Sequence, residues 1–442
     1  MSAPPEAGAQ AEALVADVLA RITEDRLRAA ARAVTAIPSP TGREAPLAHF
    51  LADRLSAAGF AATAQHLDAT QANAVGRLRG RGGGEDLMLY APIDTLTTGE
   101  EALDVPWVGP RLRPDMLPVA RDEGPFVSGL GASNPKGHTA CLLVLAEALA
   151  EAGPRPAGDV VVAFGAGGMP TNAVEAPGYP QRAGTGHGAG CSFLLERGWY
   201  TDHAVIAKPG DFVAHEEVGL SWFEITVPGV HTYVGSRHRM PYRNPIVTAA
   251  EVVTRLEGWL AEHPRRHRTP TAAPQGVIGA IAGGWERMLA VTPALCRIRL
   301  DLRMAPGATP MATKRDLARF VEAVGRELGV DLGVEMVLAV PASHTPPDAP
   351  VVRRAVAAWE RVAGRAHEPV PDNSGATDAN ILRARGIPTA RVGMPKASSD
   401  VLDVDPALDF SRGMNTVDVR AMRRLCAVLA RTTAALTGTT TA

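Results

Sequence analysis

Disulfides are the first thing this chain does without. It has four cysteines in 442 residues, at positions 141, 191, 296 and 426, and no CxxC pair. Cysteines so few and so far apart read as reduced thiols and predict a cytoplasmic protein. Long apolar runs are missing too: nothing approaches the roughly 18–20 residues of a membrane span. The opening MSAPPEAGAQAEALVADVLA lacks both the basic start and the unbroken apolar stretch of a secretory signal. Nor is there an excess of one charge. Lys and Arg number 45 against 47 Asp and Glu, a net charge of −2. Neither nucleic acid nor an anionic membrane is favoured as a partner.

What is present is a large globular chain. Its length exceeds one compact domain and suits two. Apolar residues make up 46%, enough for a sizeable core, and charged residues 21%. Apolar positions at helical spacing run through residues 9–35 (Leu14, Val15, Val18, Leu19, Ile22, Leu27), and a second helix is predicted over 45–58. LMLYAPID, VVVAF and AVIA then read as strands ending at Gly- or Pro-marked loops, with a helix over 138–152 between the first two. That is βαβ logic, with a mostly parallel sheet. Near residue 219 the texture changes. SWFEITVPG alternates like a half-exposed strand and opens a β-α-β-β-α-β order, the signature of a ferredoxin-like layer. The α/β texture returns from about residue 345. The expectation is an α/β fold, a mostly parallel mixed sheet flanked by helices, formed by residues 1–218 and 341–442. A ferredoxin-like α+β lid over 219–340 is inserted into it.

One stretch poses the functional question. GLGASNPKGHTACLLVLAEALAEAG (129–153) is a Gly-marked loop running into an apolar helix, a junction where α/β enzymes keep their chemistry. The polar residue at the turn is Asn134, an amide without a charge.

In this order LYAPIDT, GLGASNPKGH, AVIAKPG, GLSWFEITVPG, YRNPI, LDLR and SGATDAN with GIPTARVG span nearly the whole chain. The ordered set resembles the acetylornithine deacetylase, succinyl-diaminopimelate desuccinylase and glutamate carboxypeptidase family. Those are two-zinc amidohydrolases with an inserted lid, described as zinc-exopeptidase-like in fold. The resemblance implies a hydrolase acting on an amide or other C–N bond of a small carboxylate-bearing substrate. It also implies a homodimer through the lid. At the positions where the family keeps its metal ligands, however, this sequence has other residues. Pro92 replaces the first His, Asn134 the bridging Asp, and Gly167 and Gly168 the Glu-Glu pair. Lys208 replaces the next carboxylate and Ser411 the last His. Asp94 survives. The expectation is therefore no metal cofactor, unless His187, His215, Glu217, Asp94 and Asp378 rebuild a site for zinc or another divalent ion.

Cations and carboxylates are lost together, and one ammonium remains. Lys208 among Gly and Pro could serve as base, nucleophile or fixed charge, or form a structural bridge to Asp94 or Asp378. Lys208, Asn134, Asp94 and His231 are the candidate catalytic residues. GAGGMPTN (165–172) follows a strand directly, and its N–H groups, with Gly167 and Gly168, are a candidate nest for an anion or a tight turn only. His187 and Cys191 stand four apart, a possible thiolate–imidazole pair if the segment is helical. In the lid, Arg237, His238 and Arg239 suit a carboxylate or form a solvated basic face. By the resemblance Asn244 and Arg303 hold a substrate carboxylate. The family's lid His maps to Tyr233, which leaves open which His takes its place. Ser374, Thr377 and Asp378 open a helix and are further candidates for substrate binding. Three functions compete: an enzyme working through Lys208, Asn134 and the Gly-rich loop, a metalloenzyme with a rebuilt site, and a non-catalytic small-molecule binder.

Overall fold

The computed structural model describes residues 5–174, 184–397 and 409–438. Its contacts divide the chain into two compact units. The larger holds Met1–His215, Thr345–Pro369 and Thr377–Ala442; the smaller holds Glu216–His344 and Val370–Ala376.

The strands in chain order are β1 (Ala61–His66), β2 (Ala72–Leu78), β3 (Leu87–Pro92), β4 (Arg121–Glu123), β5 (Phe126–Ser128), β6 (Val160–Gly165), β7 (His203–Ala207), β8 (Val213–Ala214), β9 (Glu216–Glu217), β10 (Gly219–Pro228), β11 (Gly276–Gly283), β12 (Leu295–Met304), β13 (Gly333–Val340), β14 (Ser343–His344), β15 (Thr389–Val392) and β16 (Thr416–Asp418). The helices are α1 (Pro5–Arg21), α2 (Glu24–Thr35), α3 (Ala45–Ala57), α4 (Glu101–Asp104), α5 (Lys136–Glu151), α6 (Ala189–Glu196), α7 (Pro245–His267), α8 (Pro310–Leu328), α9 (Pro350–Ala363), α10 (Ala379–Ala384), α11 (Asp409–Asn415) and α12 (Val419–Thr437).

The larger unit is built on a seven-stranded sheet in the order β1-β2-β6-β3-β7-β15-β8. Strands β6, β3, β7 and β15 run parallel, flanked by antiparallel pairings at both edges. The parallel strands read as unbroken apolar runs because both faces are covered. Leu87, Leu89 and Ala91 of β3 point into a core shared with α2, α5 and α12, and the alternate Met88 and Tyr90 into one shared with α6 and α10. Each large apolar side chain so buried contributes about 1.5–3 kcal/mol.

The smaller unit follows β10-α7-β11-β12-α8-β13, with sheet order β11-β12-β10-β13 and antiparallel pairings throughout. Phe223, Ile225 and Val227 of β10 alternate inward against Val252, Leu256 and Leu260 of α7 and Leu317 and Val321 of α8. The expected α/β class with its ferredoxin-like element order is present.

Some details depart from the sequence reading; the smaller unit, for one, extends beyond the expected 219–340 to Glu216–His344 and takes in Val370–Ala376. The helix predicted over residues 9–35 is two helices. Thr23 breaks it, its hydroxyl accepting from the Arg26 N–H as the N-cap of α2. Strand β1, AATAQH, was not predicted, because an edge strand with a half-exposed face carries little apolar signal. No helix among the described residues is long and apolar enough to cross a membrane.

Candidate active site

The parallel strands end on the same side of the sheet, and the residues just beyond them form a buried polar group. Strand β3 leads to Asp94, β6 to the Gly167–Met169 turn, and β7 to Lys208. The loop before α5 carries Asn134. This is where open α/β sheets place their ligands.

Asp94 is fully buried. One of its oxygens accepts from the Gly168 N–H at 2.8 Å. The other accepts from the Thr41 hydroxyl at 2.6 Å and the Met169 N–H at 3.1 Å. Burial raises its pKa, while the Thr41 hydrogen bond and the charge of Lys208 pull it back. With its oxygens so engaged, Asp94 holds the β6 turn in place.

Sequence reasoning missed Glu44, which does the same work beside it. Its Oε1 accepts from the N–H groups of Gly42 (3.0 Å) and Gly167 (2.9 Å) and from the Gln71 amide (3.2 Å). Burial, reinforced by repulsion from Asp94, pushes its pKa up to about 8. Its Oε2 is buried without a hydrogen-bond partner.

The nest expected at residues 165–172 therefore exists, but its N–H groups are taken by the chain's own oxygens. The Ala166 N–H donates to Asn73 Oδ1, that of Gly167 to Glu44, and those of Gly168 and Met169 to Asp94. Gly167 and Gly168, offered as substrate-binding donors, are committed to the fold. Their lack of side chains is a packing requirement. Gly167 has φ +59, and a Cβ there would run into the Thr185 carbonyl. At Gly168 a Cβ would collide with Pro92 and come within 2.7 Å of Asp378 Oδ2.

Lys208 is buried, with Nζ 3.7 Å from Met169 Sδ. Its charge acts on Asp94 and also, together with Arg391, on His138. His138 is fully buried, and its Nδ1 pairs with the Ser133 carbonyl at 2.9 Å. Nε2 has no partner, and burial pushes the pKa down to about 3, so the ring is neutral. Lys136, at the start of the same helix, donates to the Ile37 carbonyl at 2.6 Å. Burial pushes its pKa down to about 7. Neither residue was singled out from sequence. Both lie in the quoted stretch, and only the depth of α5 distinguishes them from surface residues.

Asn134 is half-buried. Its Nδ2 donates to Met414 Sδ at 3.3 Å, and its Oδ1 has no hydrogen-bond partner. Asp378 accepts from the Tyr90 hydroxyl at 2.6 Å. Thr377 accepts from the Ala379 N–H at the start of α10, a helix-starting role. The Cys191 thiol is directed at the Asp378 carbonyl, 3.9 Å away, and burial pushes its pKa well up. It is no thiolate, and the proposed Cys–His chemistry lapses.

The remaining candidates lie in the smaller unit. His231 is exposed, its Nδ1 2.9 Å from the Thr292 carbonyl. Arg237, His238 and Arg239 are exposed, with the Arg237 guanidinium 4.3 Å above the Tyr242 ring. Asn244 is the N-cap of α7, accepting from the Ile246 N–H at 3.0 Å. The Arg303 fork is filled by Asp301 of its own strand, at 2.8 and 3.2 Å. Ser374 accepts from the Gln275 N–H. The polar groups of Asn244, Arg303 and Ser374 thus already serve the fold of this unit.

The chain belongs to peptidase family M20/M25/M40, whose model matches residues 88–432. This places it among the hydrolases of C–N bonds. Solved structures share its fold. Human carnosine dipeptidase 1 is 12% identical with a TM-score of 0.70, covering 97% of this chain and 98% of that one. An M20 family metallo-carboxypeptidase from Sulfolobus solfataricus is 12% identical (TM-score 0.66; 92% and 98% covered). A dinuclear metal binding M20 peptidase from Bacillus subtilis is 15% identical (TM-score 0.61; 93% and 97% covered). These relatives overturn the expectation that no cofactor is involved, because the family points to zinc or another divalent metal. The residues on view do not match that group. Among the described residues no three His, Cys, Asp or Glu side chains come together as a metal-binding set. That includes His187, His215, Glu217, Asp94 and Asp378.

Proposed function

We propose that this chain hydrolyses the amide or peptide C–N bond of a small carboxylate-bearing substrate at the carboxyl ends of its parallel strands. The observation that carries the reading is the pair of buried cations, Lys208 and Arg391, acting on a neutral His138 beside the Asn134 turn. A cation held in a water-poor site stabilises a substrate carboxylate, or an oxygen on which negative charge develops, far better than one in water. Lys208 is assigned that role. Asn134, the most exposed polar group at the turn, orients the substrate. Asp94 and Glu44 act as positioning residues, through the turn they hold.

The test is amine release from a panel of dipeptides, N-acetyl amino acids and N-carbamoyl amino acids, with and without added Zn²⁺, Co²⁺ or Mn²⁺. Turnover of at least one class is expected. Lys208→Met is expected to abolish it while leaving the thermal transition cooperative. Retained turnover in that variant removes Lys208 from the chemistry. No release under any condition overturns the reading.

The proposal includes a cytoplasmic homodimer formed through the smaller unit. Strand β11 is a sheet edge, and the exposed Val277, Ile281, Trp285 and Leu289 lie along it and just after it. An exposed apolar edge strand is a template for pairing. Light scattering should give a dimer mass that Ile281→Lys converts to a monomer.

A further inference from the structure

The larger unit holds a cavity of about 160 Å³, of whose lining the reading above uses Asn134 alone. It starts at Thr95, next to Asp94, and reaches the Asn134 turn. Ser411 also lines it. It is thus continuous with the candidate site.

Its walls are hydrocarbon: Leu96, Val108, Met116, Leu130, Phe410 and Met414. Two of its polar lining groups are engaged elsewhere. Asn415 Oδ1 accepts from the Gly131 N–H at 2.8 Å, and the Thr95 hydroxyl donates to the Thr97 carbonyl at 2.8 Å. Asn134 is held more loosely, since its Nδ2 has only the weak Met414 sulfur as acceptor. Two aromatic side chains stand in solvent along the same segments: Phe410 is 65% exposed, and Trp107, beside Val108, is 84% exposed. An apolar cavity of about 150 Å³ accepts a benzene-sized group.

We propose that this cavity is a substrate subsite for a branched or aromatic hydrocarbon group of about four to seven carbons, carried close to the scissile amide. Asn134 marks its polar end. This names the substrate class and rests on the hydrolase reading for its meaning, but it is testable by binding alone. The substrate is an amide with a carboxylate at one point and a bulky apolar group at another.

The experiment is calorimetric titration of the full chain with N-acetyl-L-leucine, N-acetyl-L-phenylalanine and N-acetylglycine. The first two are expected to bind at least about tenfold more tightly than the third, since even one methylene in an apolar pocket is worth about that factor. Val108→Trp fills the cavity from its half-exposed wall, and Leu96→Trp does so from a second half-exposed position. Each is expected to bring the ratio to within about twofold, against the tenfold of one methylene. Equal binding of the three compounds, binding of none, or a preference that survives both variants overturns the proposal. Because the readout is binding, a chain that binds with this preference but releases no amine would fail the hydrolase reading and leave the subsite standing.

Discussion

In the larger unit the ionisable groups of the candidate site lie inside the protein. Asp94, Glu44 and Lys208 are all buried, and the two carboxylates together take six backbone and side-chain donors, from Gly167, Gly168, Met169, Thr41, Gly42 and Gln71. In the smaller unit Arg237, His238 and Arg239 stand in solvent. A buried charge without partners costs several kcal/mol, so the fold is built around such groups. A solvated charge costs almost nothing and leaves its surroundings unspecified. The first kind of residue should therefore fail through structure and the second only through function.

Four measurements sharpen or break that contrast. Asp94→Ala has the largest expected effect. It strands the Gly168 and Met169 N–H groups and leaves the Thr41 hydroxyl only the distant Thr95 carbonyl, and each buried orphan costs about 1–3 kcal/mol. A loss of about 3 kcal/mol or more by denaturant melting is expected, and a near-neutral result would mean the turn is held by something else.

Glu44→Gln tests the same pair through pH. A carboxyl pushed up to about 8 contributes stability that is fully present below its unfolded pKa and lost as pH rises through 8. The wild type should therefore lose melting temperature relative to Glu44→Gln between about pH 5 and 9. Parallel profiles would show that Glu44 is not raised.

In the smaller unit Asn244→Ala removes the N-cap of α7 and should cost about 1 kcal/mol, with little change in turnover. A collapse of turnover at unchanged stability would instead restore Asn244 as a substrate ligand. The smallest effect on stability belongs to the double change Arg237→Ala and Arg239→Ala. Its melting temperature should match the wild type within about a degree, as for most surface substitutions. Its KM for a carboxylate substrate, read beside kcat, decides whether the basic loop binds anything.

Legibility from the sequence followed burial and range. Strands β3, β6 and β7 were readable because strands covered on both faces are unbroken apolar runs. The order β-α-β-β-α-β was readable because half-buried strands and amphipathic helices carry their periods locally. The family was readable because its motifs are short and keep their order. Glu44 was not. In TGREAPL it looks like the first turn of a surface helix, and its partner Gly167 lies 123 residues away. Lys136 and His138 sit in the most closely read stretch of the chain, but nothing local shows that the start of α5 is buried on every side. The 160 Å³ cavity draws its walls from residues 95–134 and 410–415, and no periodicity joins them.

The sequence by itself therefore determined the fold class, the family, and which side chains were candidates for the site. These depend on residue type and order along the chain. Only the tertiary structure decided what those side chains do. It turned Asp94 and the glycine loop into mutual partners, gave the Arg303 fork to Asp301, and left His138 neutral beside two cations. The reason is that hydrogen bonds and desolvation depend on what lies within a few ångströms in space. Separation along the chain does not encode that.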